Sequence, residues 1–308
     1  MGAGALGGYF GARLAQGGAD VVFIARGAHL AALRERGLLI ESPYQPLVLP
    51  EIAATDDPAS VAPVDVILFS VKLWDTEAAA RLLGPMIAPA TAVVSLQNGV
   101  QKDDVLRAIL GEAAVMGGVA YLATAIARPG VIAQIGSVQR MVFGEYDGAR
   151  TGRATALLAA CKRGGIDAEL STNIRRAIWE KFVFLVALSG ATTAMRERLG
   201  RIRGHQRSRA FLLDLMRETV SVGRALGVDL PEHYAQERLA FADTLPPDMT
   251  SSMFHDLERG QRLELAWLSG AVMELGERMG VPTPANRAVN DILILHAQGR
   301  GAAERAAT

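Results

Sequence analysis

Three glycines within the first seven residues constrain this chain more than anything that follows. Met1-Gly2-Ala3-Gly4-Ala5-Leu6-Gly7 carries the pattern Gly-x-Gly-x-x-Gly, and apolar residues at helical spacing continue over Ala5–Gln16. In such a loop the first glycine allows a tight turn from strand into helix. The second lets the backbone approach a pyrophosphate with no Cβ in the way, and the third lets the helix pack closely on a sheet. Gly2, Gly4 and Gly7 fill these places. The amides of Ala5, Leu6 and Gly7 would then face the phosphates, aided by the helix dipole.

The strand pattern Asp20-Val21-Val22-Phe23-Ile24-Ala25 comes next, with Arg26 at its end. That is about 20 residues onward, where the adenosine ribose is read. Asp or Glu at this place takes the 2′-hydroxyl of NAD, whereas Arg grips a 2′-phosphate. NADPH is therefore expected over NADH. The strand that leads into such a loop belongs at the centre of a doubly wound sheet, and its loss would leave strand edges unpaired. The first strand thus looks truncated. The expectation is that the true start lies upstream, with Met1 at the last strand position.

A length of 308 residues suggests about two domains. Half the residues are apolar and the formal charges cancel, which points to neither nucleic acid nor an anionic membrane as partner. One cysteine, Cys161, rules out an internal disulfide and fits a reduced, cytoplasmic setting. It lies in an apolar helical run and reads as packed rather than reactive. The five histidines are scattered without metal-ligand spacing, so no metal site is expected.

The pattern changes near residue 172. Before it, short apolar runs at 64–71 and 91–96 alternate with helices, as for strands buried on both faces. Runs at 114–121, 131–135 and 141–143 read as an antiparallel extension. After it, helices are expected over 175–195, 208–226, 231–242, 252–279 and 283–297, with Pro231 in a first turn and Gly280, Pro282 and Pro284 marking an end and a restart. No strand is expected there. The reading is an α/β Rossmann-type domain, 1–172, followed by an all-α domain, 173–308, with a frayed tail over 299–308. Apolar faces of the second domain would be buried in its own core or in a homodimer.

Polar clusters close two of the strands, where open α/β sheets bind ligands. Ser70-Val71-Lys72 ends one, and Lys72 could meet the phosphates or the adenosine end. Gln97-Asn98-Gly99 ends the other. Asn98 could bond both nicotinamide ribose and substrate, although Asn-Gly is also a common turn pair. Further on, Lys181 borders the apolar run that starts at Phe182. Partial desolvation would lower its pKa and suit it to donate a proton; an ordinary amphipathic helix would leave it in solvent. Ser251 or Ser252 reads as an N-cap, and Glu264 as a carboxylate on the following helix.

Together these motifs resemble the ketopantoate reductase family over nearly the whole chain. The resemblance rests on the opening Gly-Ala-Gly-Ala-Leu-Gly-Gly, Ser-Val-Lys72, Gln-Asn98-Gly, Trp179-Glu180-Lys181, Thr-Ser-Ser252-Met and Glu264, in that order. It implies a Rossmann domain and a helical domain, with NADPH-dependent reduction of 2-dehydropantoate, a small 2-oxo acid, to pantoate. Lys181 would match the catalytic lysine, Glu264 a motif carboxylate, and Ser252 and Asn98 substrate contacts. The sequence departs from the family where relatives carry asparagines one and two turns after the lysine; Leu185 and Ser189 stand there. Another 2-oxo acid or ketone with a more apolar body is therefore an alternative substrate. A non-catalytic NADPH-binding regulator is a third reading.

Overall fold

The computed structural model describes residues 1–300, which divide into two compact units. The first comprises Met1–Asn98 and Lys102–Ala177, the second Gly99–Gln101 and the described residues from Ile178 onward.

In the first unit the order is α1 (Ala5–Gln16), β1 (Val22–Ile24), α2 (Gly27–Arg36), β2 (Leu38–Glu41), β3 (Leu47–Leu49), β4 (Ala53–Thr55), β5 (Val66–Phe69), α3 (Thr76–Arg81), β6 (Ala92–Ser95), α4 (Lys102–Leu110), β7 (Val115–Arg128), β8 (Val131–Gly144), α5 (Gly152–Arg163) and β9 (Asp167–Leu170). Strands β5, β6 and β7 pair in parallel, and β8 then runs antiparallel to β7. That is the expected extension, but as two strands of 14 residues each instead of three short runs. Two register shifts bend the ribbon, between Leu122 and Thr124 and between Ile126 and Arg128. The side chains of β6 alternate between cores. Ala92 and Val94 pack with Tyr9, Phe10 and Phe143, whereas Val93 packs with Ile67, Phe69 and Leu106. Burial on both faces explains its unbroken apolar run.

Strands β1 and β4 form a separate parallel pair. Residues 1–3 lie between β1 and β5. Gly2 and Ala3 N–H groups donate to Ile24 O, while Met1 N donates to Leu68 O and Met1 O accepts from Ser70 N. Four strands were not anticipated: β2, β3, β4 and β9. They are three or four residues long.

The second unit is helical, with no strand among its described residues: α6 (Ile174–Met195, whose first turn falls in the first unit), α7 (Leu199–Gly204), α8 (Gln206–Ala225), α9 (Tyr234–Thr244), α10 (Ser252–Glu258), α11 (Ser269–Met279) and α12 (Pro284–Leu293). Helix α6 is long and apolar enough to cross a membrane by length and composition. Its Trp179, Phe182, Val183 and Val186 are instead buried in the helical core with Leu212, Met216 and Val272. The Glu218 carboxylate on α8 accepts from the Ala285 and Asn286 amides at 2.7 and 2.9 Å, capping α12.

Two expectations need correction. Pro231 precedes its helix: Tyr234 N–H closes a turn on Pro231 O, and α9 starts only at Tyr234. The helix expected over 252–279 is broken. Gly260 sits at φ +62, and the Gly260 and Gln261 amides bond back to Leu257 O and Asp256 O. This is a Schellman stop. As a result Glu264 lies in a connecting segment, just before the 3-10 turn Leu265–Trp267. Gly280 (φ +68) does end α11, and α12 restarts at Pro284. Of the tail, Arg300 N–H donates to Gly260 O; residues 301–308 lie outside the described part.

Candidate functional site

The glycine loop is built as its pattern requires. Gly2 has φ +82, and a Cβ there would lie 2.7 Å from Val71 N. A Cβ on Gly7 would lie 2.5 Å from Gly2 O. Loop, helix α1 and the segment after β5 are therefore in contact that only glycine permits. Gly4 differs: a Cβ on it meets nothing within 4 Å. The space beside Gly4 holds no protein atom. Gly4 is also the N-cap of α1, with no side-chain cap. The Ala5, Leu6 and Gly7 amides open that helix, where backbone donors lack intrahelical partners. Close to Gly7, Ser70 Oγ is buried with no hydrogen-bond partner among the described residues. Open space, unclaimed amides and an orphaned hydroxyl converge here, and a nucleoside diphosphate group fits them.

Arg26 holds the N-cap position of α2, just after β1, without capping it, and projects into solvent, with 83% of its side chain exposed. Its Nη2 lies 2.6 Å from Asp75 Oδ2. Asp75 closes the 3-10 turn Leu73–Asp75 that starts right after Lys72. The fold thus brings Arg26 and the Lys72 segment together. Lys72 is exposed, with Nζ 5.5 Å from the Trp74 ring centre. Asn98 is half-buried just after Gln97, and Gln97 Nε2 donates to Val71 O at 2.9 Å. Sequence reasoning missed Asp75, Thr76 and the role of Gln97. The only signal was their closeness to Lys72 and Asn98 in the chain.

The remaining candidates lie in the second unit. Lys181 is half-buried on α6. Leu185 and Ser189 follow at helical spacing on the same face. Leu185 packs against the helical core, and Ser189 is fully buried with Oγ lacking a hydrogen-bond partner among the described residues. Ser251 is the N-cap of α10: its Oγ accepts from Phe254 N at 3.1 Å and lies 3.0 Å from Thr192 Oγ1 on α6. That leaves Ser252 as the exposed first residue of α10. Glu264 is half-buried. Cys161 is buried, and burial pushes its thiol up to about 12, in keeping with a packed rather than a reactive cysteine. No cluster of metal-ligating side chains occurs among the described residues.

Both parts match family models. Residues 1–148 match "Ketopantoate reductase PanE/ApbA", and residues 173–297 match its C-terminal model. The chain belongs to the ketopantoate reductase family. It is 32% identical over 317 residues to a 2-dehydropantoate 2-reductase from Mesorhizobium japonicum, covering 94% of each chain. An uncharacterized oxidoreductase, YkpB, from Bacillus subtilis is 30% identical over 287 residues, covering 92% of this chain and 93% of that one. Among solved structures, a PanE/ApbA family ketopantoate reductase from Ralstonia eutropha JMP134 superposes with a TM-score of 0.87 at 35% identity, over 96% of this chain and 97% of that one. The ketopantoate reductase family consists of NAD(P)-dependent oxidoreductases, and its fold is the Rossmann-type domain plus helical domain described above.

Proposed function

We propose that this protein reduces 2-dehydropantoate to (R)-pantoate with NADPH, in the cytoplasm. The observation that carries the proposal is the diphosphate cradle: Gly4 facing open space, above a helix start that no side chain caps. Gly2, Gly4 and Gly7, with the Ala5 and Leu6 amides, would hold the pyrophosphate. Arg26 would take the 2′-phosphate, with Lys72 nearby.

When bound, NADPH supplies a hydride to the substrate's C2 ketone. As negative charge grows on the ketone oxygen, the Lys181 ammonium stabilises it and then delivers a proton, completing the alcohol. Glu264 orients Lys181 or binds a substrate hydroxyl, Ser252 holds the substrate carboxylate, and Asn98 aligns the ketone. The test is NADPH oxidation with ketopantoate beside other 2-oxo acids. Rapid, selective turnover of ketopantoate supports the proposal; none on any 2-oxo acid refutes it.

One observation favours a second substrate. The face of α6 that follows Lys181 carries Leu185, which cannot hydrogen-bond a hydroxyl, and the buried Ser189, whose side chain is shorter than asparagine. A 2-oxo acid with an apolar body suits that face better than one with a hydroxymethyl group. Higher kcat/KM for such an acid in the same screen would select this reading.

A further inference from the structure

Gln97 is 7% exposed, and every hydrogen-bonding atom of its amide has a partner. Ser95 Oγ donates to its Oε1 at 3.0 Å. Its Nε2 donates to Val71 O at 2.9 Å and to Thr76 Oγ1 at 2.8 Å. Thr76 in turn donates to Leu73 O at 2.8 Å. One side chain from the end of β6 therefore grips both ends of the segment 71–76. That segment is the wall on which the glycine loop rests, since Val71 N lies only 2.7 Å from where a Gly2 Cβ would be. It also carries Lys72 and Asp75, the partner of Arg26.

The grip is itself anchored. Lys102 Nζ, buried with 1% of its side chain exposed, donates to Ser95 O at 2.6 Å and to Gly118 O at 2.9 Å. Asp103 lies 3.5 Å from that ammonium and accepts from Tyr146 OH at 2.7 Å. Ser95 is thus fixed to β7 from behind, and Gln97 is fixed to Ser95. A closed turn alone would need neither the second Gln97 donor bond nor a buried ammonium under the strand end.

We propose that Gln97 is a positioning residue for the cofactor: it locks the Lys72 segment at a set distance from the glycine loop, through Val71 and Thr76. The inference rests on the NADPH reading above. Losing the amide frees the wall, so the diphosphate and adenosine contacts loosen while substrate binding and the chemical step are spared.

Gln97→Met and Gln97→Glu test this, with NADPH titrated by fluorescence and in steady-state assays. Gln97→Met should raise the Kd and KM for NADPH about tenfold, the worth of one or two such bonds. The oxo-acid KM, and kcat at saturating NADPH, should change less than about twofold. Gln97→Glu adds a pH readout, with the melting temperature followed over the same range because an ionised carboxylate at this buried position also destabilises the fold; the NADPH Kd should rise with pH while the protein is still fully folded. The introduced carboxyl can still donate to Val71 O when protonated and cannot once ionised, so NADPH affinity should fall as pH rises through its titration. Should Gln97→Met not fold, Thr76→Val removes one partner of the same amide and should raise the NADPH KM alone. Variants that bind NADPH like wild type, at every pH, overturn the inference. A wild-type protein that binds no dinucleotide overturns the cofactor reading instead, and this inference with it.

Discussion

The Arg26 guanidinium and the Asp75 carboxylate form a 2.6 Å ion pair across two segments that both belong to the candidate adenosine site. An exposed pair of this kind contributes little stability. Under the NADPH proposal its weight lies in recognition, because a 2′-phosphate bound by Arg26 would share it with a carboxylate of its own sign.

Arg26→Ala should lower the NADPH to NADH ratio of kcat/KM by about 10–100-fold, since a charge-assisted phosphate contact is lost. Asp75→Asn should raise the same ratio several-fold by removing the competing charge. Parallel assays with the two cofactors decide both. A ratio unmoved by either change would detach Arg26 from cofactor choice.

Gly4 and Gly7 should separate binding from folding. Gly4 has φ −77 and ψ −158, and a Cβ on it meets no protein atom. Gly4→Ala should therefore fold with wild-type or slightly higher stability yet bind NADPH at least about tenfold more weakly. Gly7→Ala places a Cβ 2.5 Å from Gly2 O and should lower the melting temperature as well. Thermal melts with and without NADPH distinguish the two.

Acid sensitivity should be traceable to Glu145. Its carboxylate receives Arg153 at 2.8 Å through both Nε and Nη2, and Thr151 Oγ1 at 2.6 Å. Burial alone would raise its pKa, but the Arg153 and Thr151 bonds outweigh that and hold it below the ordinary carboxylate value. A depressed carboxyl stabilises fully above its unfolded pKa, and the stabilisation is lost as pH falls through the folded value. Glu145→Gln should cost about 2–3 kcal/mol at neutral pH. Its deficit against wild type should shrink as both are acidified below the ordinary carboxylate range. Urea midpoints measured across that range check the sign.

Much of the first unit was legible because burial writes strong patterns. The glycine spacing and the apolar period placed α1 at Ala5–Gln16, as observed. The runs behind β5 and β6 showed because strands covered on both faces have no polar side to interrupt them. The strand β9, Asp167-Ala168-Glu169-Leu170, gave no such signal; it is held by parallel pairing to Arg140–Phe143 partners in β8, a contact that only folding creates. Glu264 was expected on a helix because the apolar period runs on past Gly260, and one positive-φ glycine overrides that period. The clamp at Gln97 was illegible for a related reason. An amide's partners are chosen by the strands around it, and no local pattern names Val71 or Thr76 in advance.

The account turns on Lys181. NADPH oxidation at saturating 2-oxo acid, measured for wild type and Lys181→Ala alongside NADPH binding, tests it most directly. Removing the proposed proton donor and charge stabiliser should lower kcat about 10²–10⁴-fold with the NADPH Kd essentially unchanged. A Lys181→Ala protein that turns over at the wild-type rate would contradict the proposed chemistry.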